Sequence, residues 1–137
     1  MKWYFASRRS QEDFVRSIIA TLKKEGHEIV YDWTDLGSLK PYHENAEQCN
    51  KISYDISASL ADVDVFVLIS DAAGTDMFVE LGIVIGYWMK SRKSRIYLVG
   101  EHNKRSLMHL HPAIIHMDSL QEVMEKECQN LKESLVG

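Results

Sequence analysis

The residue with the clearest potential for chemistry is Glu80, an acid within the apolar segment 77–88. Its neighbours include Phe78, Val79, Leu81 and Ile83. A carboxylate among such side chains loses much of its hydration, which is costly unless a partner offsets the loss. Glu80 therefore either has a structural partner or takes part in a reaction as an acid, a base or a nucleophile.

Structural explanations for Glu80 exist beside the chemical one. It could complete a capping pattern with Thr75 or Asp76 at the start of a helix, or it could pair with a nearby arginine. The helix N-terminus favours the ionised carboxylate, whereas burial opposes it. The choice depends on which elements surround the residue.

Hydrophobic patterning predicts alternating strands and helices. Residues 2–7 (KWYFAS), 27–33 (HEIVYDW), 63–70 (VDVFVLIS), 94–100 and 113–117 are typical of strands, and the third is apolar enough to be buried on both faces. Helical spacing of apolar residues predicts helices over 11–25, from about 45 to 60, after the turn at 71–75, and near the C-terminus. In the last helix one face carries Leu120, Val123, Met124, Leu131 and Leu135.

This alternation predicts an α/β fold: a single flavodoxin/Rossmann-like domain over residues 1–137, with a five-stranded parallel sheet and helices on both faces. Ligands of such sheets bind outside the carboxyl ends of the strands, where the strand order reverses. Three loops are expected there. They carry Ser7, Arg8 and Arg9, then Trp33 with the loop 34–44, then Ser70 to Thr75 ahead of Glu80.

Three segments together resemble a known family. YFAS in the first strand, ADVDVFVLIS around the third and GTDMFVELG at the next helix are similar to segments of the nucleoside 2-deoxyribosyltransferase superfamily, including its deoxynucleoside 5′-monophosphate N-glycosidase branch. The resemblance covers most of the chain in order. It implies a Rossmann-like domain that breaks an N-glycosidic bond without a metal or organic cofactor.

The resemblance also implies roles for individual residues. Glu80 matches the nucleophilic glutamate, and Tyr4 matches the tyrosine that holds it. Asp55 lies near the acid that assists departure of the base, with Asp62 as the alternative. Gly74 stands where the family has a polar sugar or phosphate ligand, so that Thr75 or Ser70 would substitute.

Further residues are candidates for substrate binding. Arg8 and Arg9 would favour a nucleoside 5′-monophosphate, although paired arginines are also common on solvated loops. Trp33, Tyr42 and His43 could border the base, since a nucleobase needs a flat aromatic wall. Ser106 resembles a residue that a neighbouring subunit contributes at the 5′ end, which implies a homodimer or a higher homo-oligomer.

The expected function is cleavage of the N-glycosidic bond of a (deoxy)nucleoside or its 5′-monophosphate, by hydrolysis or by base transfer, through Glu80. Two alternatives stay open. One is a TIR-like NAD glycohydrolase, which also depends on a glutamate. The other is a nucleotide-binding module without catalysis, which would bind the same ligand without turnover.

The composition of the chain limits the kinds of partner that the protein is expected to bind. A net charge of −4 argues against a general nucleic-acid binder, and the longest apolar run is too short to span a membrane. The two cysteines, Cys49 and Cys128, do not form a disulfide framework, which favours a cytoplasmic protein. The histidines at 102, 109, 111 and 116 show no zinc-binding spacing, and the basic run 90–95 is interpreted as a surface feature.

Overall fold

The computed structural model describes the backbone of residues 1–136 and the side chains of residues 1–128. The strands are β1 (Lys2–Ala6), β2 (Glu28–Ile29), β3 (Val65–Ile69), β4 (Arg95–Val99) and β5 (Ile114–Met117). The helices are α1 (Glu12–Lys24), α2 (Ala46–Ser59), α3 (Asp76–Ser91) and α4 (Leu120–Val136). The predicted contributions of Leu131 and Leu135 to the face of α4 lie outside the described side chains. In the described part of the chain, no helix is long and apolar enough to cross a membrane.

The five strands form one parallel sheet in the order β2-β1-β3-β4-β5. This confirms the predicted α/β class and the Rossmann-like architecture. The strand order reverses between β1 and β3, which places the expected ligand crevice at the carboxyl ends of these two strands.

Alternating side chains of the central strands supply two apolar cores, one on each face of the sheet. Tyr4 and Ala6 of β1 contact the core under α2 and α3, whereas Trp3 and Phe5 contact the core under α1 and α4. Residues Val65 to Leu68 of β3 are all fully buried, as the continuous apolar run predicts. Helices therefore cover both faces of the sheet.

The second strand is much shorter than its sequence predicts. Only Glu28 and Ile29 pair with β1, although the sequence pattern predicts a strand over residues 27–33. β2 lies at the edge of the sheet, and the chain leaves it early because Val30, Tyr31 and Trp33 turn to pack against the apolar core beneath α2 and α3. Tertiary packing thus overrides a local preference for strand.

The basic run 90–95 also differs in part from the prediction. Arg92 caps α3 in a left-handed conformation and its guanidinium lies over the Trp88 ring at 4.0 Å. Arg95 opens β4 and pairs with Glu127 of α4, a residue that is only 2% exposed. One member of the run is thus held in a partly buried ion pair instead of lying free on the surface.

Candidate functional site

A cavity of about 990 Å³ opens at the carboxyl ends of the central strands. Its walls come from the loops after β1, β2 and β3, from one side of α2 and from the first two turns of α3. The cavity lies where the strand order reverses. Its volume is at the upper end of the range for small-molecule sites.

Glu80 lines this cavity from the second turn of α3. Met77, Leu81 and Val84 anchor the helix on the apolar core, which leaves Glu80 beside the end of β1. The hydroxyl of the fully buried Tyr4 donates a hydrogen bond of 2.6 Å to Glu80 Oε1. The second carboxylate oxygen, Oε2, is buried and has no hydrogen-bond partner among the described residues.

This geometry supports neither of the two structural explanations for Glu80, helix capping and pairing with an arginine. Thr75 is the N-cap residue of α3, but its side chain makes no capping hydrogen bond. No arginine whose side chain is described lies within ion-pair distance of Glu80. The partner is Tyr4, which satisfies one oxygen only, so the other buried oxygen keeps an unused capacity to accept a hydrogen bond.

The surroundings hold Glu80 near its titration point at neutral pH. Burial and, to a smaller extent, the charge of Asp76 raise its pKa, the Tyr4 hydrogen bond lowers it, and the net result is a pKa of about 7. Burial also raises the pKa of Tyr4 well above its ordinary value, and the Glu80 carboxylate adds to that effect. Tyr4 therefore stays a neutral donor that orients the acid.

Glu80 is expected to make the folded protein less stable as the pH rises from about 4.5 to about 7. The folded-state pKa of about 7 lies above the ordinary 4.5, so the native state binds more protons in this interval and loses stability through it. The free energy of unfolding of Glu80→Gln should therefore rise relative to that of wild type by up to about 3 kcal/mol between about pH 5 and about pH 8. Urea unfolding at both pH values measures the gain, with the exposed Glu25→Gln as the control. An equal difference at both pH values would contradict the buried acid.

Three predicted binding residues follow β1 and line the cavity: Ser7, Arg8 and Arg9. Each arginine already faces a carboxylate, because Arg8 lies 3.6 Å from Asp71 and Arg9 lies 3.6 Å from Glu12. These exposed pairs are weak, and a more strongly charged ligand could compete with them. The Ser7 hydroxyl donates to the carbonyl of Arg8, which shapes the loop.

The loop after β3 brings Gly74 and Thr75 to the cavity but not Ser70. Gly74 has a φ of +120°, and a Cβ there would lie 2.6 Å from the Met77 Cε and 3.4 Å from the Arg8 Cγ. Glycine therefore lets the loop pass close to Arg8 and start α3. Ser70 faces the other way, where its hydroxyl accepts a hydrogen bond from the backbone N–H of His102.

Trp33 forms part of the wall between the first and second loops. Its indole N–H donates a 2.6 Å hydrogen bond to the carbonyl of Phe5 at the end of β1, which fixes the ring. Tyr42 and His43 lie in the helical turn Tyr42–Asn45 and also line the cavity, with Tyr42 half exposed. These rings form one side of the opening.

Three other sequence candidates are not among the residues that line this cavity. Asp55 of α2 is not among its lining residues and pairs with Lys51 at 2.7 Å. Asp62 lies near the opposite ends of the strands, 3.8 Å from the Lys2 Nζ. Ser106 lies in a separate pocket of about 300 Å³ beside α3, where its hydroxyl hydrogen-bonds to His109.

The cavity also contains charged residues that the sequence analysis did not select. Asp76 lies one helical turn before Glu80, and Lys40 lies in the loop between β2 and α2. The spacing of Asp76 and Glu80 was a usable signal, since residues four apart share a helix face. Lys40 could not be placed, because nothing local indicates how a long loop folds back. Among the described residues, no cluster of three His, Cys, Asp or Glu could hold a metal.

Comparison with known proteins gives a likeness to a solved structure. No protein-family model and no curated protein sequence matches the chain. Among solved structures, the Clostridium botulinum CMP N-glycosidase BcmB superposes with a TM-score of 0.59 at 14% identity, over 96% of this chain and 99% of that one. At this identity the likeness establishes a shared fold. The chain thus has the α/β fold of a CMP N-glycosidase, in agreement with the resemblance seen in its sequence.

Proposed function

We propose that this protein cleaves the N-glycosidic bond of a nucleoside or nucleoside 5′-monophosphate, with Glu80 as the nucleophile. The observation that carries the proposal is a cavity carboxylate that Tyr4 holds through one oxygen while the other has no partner among the described residues. The fold shared with a CMP N-glycosidase supports it.

The reaction follows from what such a carboxylate can do. Cleavage passes through an oxocarbenium-like state at the sugar C1′, and a carboxylate at that carbon stabilises the state or bonds to it. Glu80 attacks C1′ in its ionised form while the base departs with the bonding electrons. Water or a second base then displaces Glu80, which gives hydrolysis or base transfer. The side chains of this site carry these steps, and the proposal requires no metal or organic cofactor.

The two arginines after β1 favour a 5′-monophosphate over a plain nucleoside. A phosphate beside Arg8 and Arg9 would meet two guanidinium groups whose present contacts with Asp71 and Glu12 are long, at 3.6 Å each. Charge-assisted, bidentate contacts to phosphate are stronger than such pairs. Trp33 and Tyr42, which line the same cavity, offer flat rings to a base.

The proposed enzyme is a homodimer, in which a second copy of the chain covers exposed apolar side chains. Leu107 is 86% exposed, and Met108 and Leu110 are more than half exposed, next to the pocket that contains Ser106. Val79 of α3 is also exposed and lines the main cavity. A partner subunit that covered these apolar side chains would bring its own residues to the rim of the cavity.

A substrate panel tests the proposal. The wild-type protein is incubated with ribo- and deoxynucleosides, their 5′-monophosphates and NAD, with and without an added acceptor base, and free base is separated by chromatography. We expect base release from at least one 5′-monophosphate, at a higher kcat/KM than from the matching nucleoside. Release from NAD alone would favour the TIR-like reaction. Ligand binding without release from any substrate would contradict catalysis and favour the nucleotide-binding module.

A further inference from the structure

The main cavity contains a second carboxylate beside Glu80. Asp76 is the first residue of α3, lines the same cavity and is solvent-exposed. It lies four positions before Glu80, which puts the two on one helix face with Cβ atoms about 5–6 Å apart. Among the described residues, no hydrogen-bond or ion-pair partner occupies the Asp76 carboxylate. It is therefore available to a bound substrate.

Electrostatic coupling supports the closeness of the two acids. After the larger effect of burial, the charge of Asp76 contributes to the raised pKa of Glu80. It also contributes to the raised pKa of Tyr4, the partner of Glu80. Asp76, Glu80 and Tyr4 thus form an electrostatically coupled group, of which Asp76 and Glu80 line the cavity.

Asp55, the acid that the family resemblance indicates for departure of the base, has a different environment. It forms a 2.7 Å ion pair with Lys51, one turn earlier on α2. Its charge acts on Tyr31, whose pKa it raises after the effect of burial. Its neighbours Ser53 and Ile56 line the cavity, whereas Asp55 does not.

We propose that Asp76 is the acid–base residue that acts together with Glu80. This inference rests on the proposed N-glycosidic function and assigns the second of its two carboxyl groups. Glu80, fixed by Tyr4, is suited to attack at one carbon. Asp76, at the exposed end of the same helix face, can reach both the leaving base and incoming water.

The proposed hydrolysis has two half-reactions, formation of a bond between Glu80 and C1′ and its cleavage by water. In the first, the Glu80 oxygen bonds to C1′, the C1′–N bond breaks, its electrons go to the base nitrogen, and the carboxylic acid of Asp76 protonates that base. In the second, water attacks C1′, Asp76 takes a proton from the water, and the bond between C1′ and Glu80 breaks. Both side chains return to their starting forms, and the net reaction is hydrolysis.

The test compares leaving groups in Asp76→Asn, Asp55→Asn and wild type. Each is assayed on its best 5′-monophosphate and on an analogue whose base leaves with less need for a proton: N7-methylguanine for a purine enzyme, 5-fluorouracil for a pyrimidine enzyme. Asp76→Glu tests whether a carboxyl group is sufficient. Asp13→Asn, in the exposed first turn of α1, is the matched control for losing an acid at a helix start. Circular dichroism checks that every variant is folded.

We expect Asp76→Asn to lose about 10²- to 10⁴-fold in kcat on the ordinary substrate and less than about 10-fold on the analogue. Asp76→Glu should recover part of the loss, and Asp13→Asn should match wild type. An unchanged Asp76→Asn rate, an equal loss on both substrates, or a leaving-group-dependent loss in Asp55→Asn instead would each overturn the inference and leave the proposed function intact. A wild-type protein that releases no base from any substrate would overturn the proposed function and this inference with it.

Discussion

Glu80→Gln is expected to lower base release by at least about 10³-fold while the protein stays folded. The amide keeps the size of the side chain and can still accept the Tyr4 hydrogen bond through its oxygen. It cannot serve as the nucleophile, because it carries no negative charge with which to attack C1′. Base release under single-turnover conditions, followed by chromatography, measures the effect on the chemical step.

The control for this substitution is Tyr4→Phe. It removes the hydrogen bond of 2.6 Å but leaves the carboxylate in place, so we expect a partial loss and not an inactive enzyme. Substrate affinity is measured separately by calorimetry, because a loss of binding would also reduce release. Glu80→Gln with near wild-type release would contradict a nucleophilic role, whatever its effect on binding.

Glu127→Ala is expected to destabilise the fold by about 1.5–3 kcal/mol, because it removes charge-assisted hydrogen bonds from the partly buried Arg95. Both Glu127 oxygens accept hydrogen bonds from Arg95, at 2.7 to 3.0 Å, and the Tyr97 hydroxyl also donates to the carboxylate. Glu127 is 2% exposed, so water cannot replace it. Burial of Tyr97 raises the pKa of its hydroxyl, and the hydrogen bond to Glu127 adds a smaller increase.

Urea unfolding of Glu127→Ala is compared with Glu125→Ala, which removes an exposed glutamate from the same helix. The double variant Glu127→Leu with Arg95→Met should be less destabilised than the single loss of Glu127, because it removes both charges together. A loss in Glu127→Ala no larger than that in Glu125→Ala would show that the pair adds little to the attachment of α4 to β4.

The sheet and the central acid could be predicted from sequence because their signals are local. The run 65–68 is apolar at every position, which requires a strand covered on both faces, and Glu80 is the acid within an apolar helix. Tyr4 was identified through the family resemblance. Its side chain reaches Glu80 across 76 positions of sequence, a contact that hydrophobic patterning alone does not reveal.

The remaining features depend on packing between distant segments. The shortness of β2 follows from the turn of Val30 and Trp33 onto the core, and the buried partner of Arg95 lies on a helix at the other end of the chain. Asp55 and Asp76 illustrate the same limit. Both are acids on helices near the crevice, but only the rotation of each helix about its axis determines which side chain lines the cavity.

The most direct test of the central claim is to trap the bond between the sugar and Glu80. A 2′-fluoro analogue of the accepted substrate destabilises the oxocarbenium-like state and slows hydrolysis of the covalent intermediate. We predict one equivalent of released base and a matching mass increase on the peptide that contains Glu80, absent in Glu80→Gln. Base release from the analogue with the added mass on another residue, or with no added mass, would contradict Glu80 as the nucleophile.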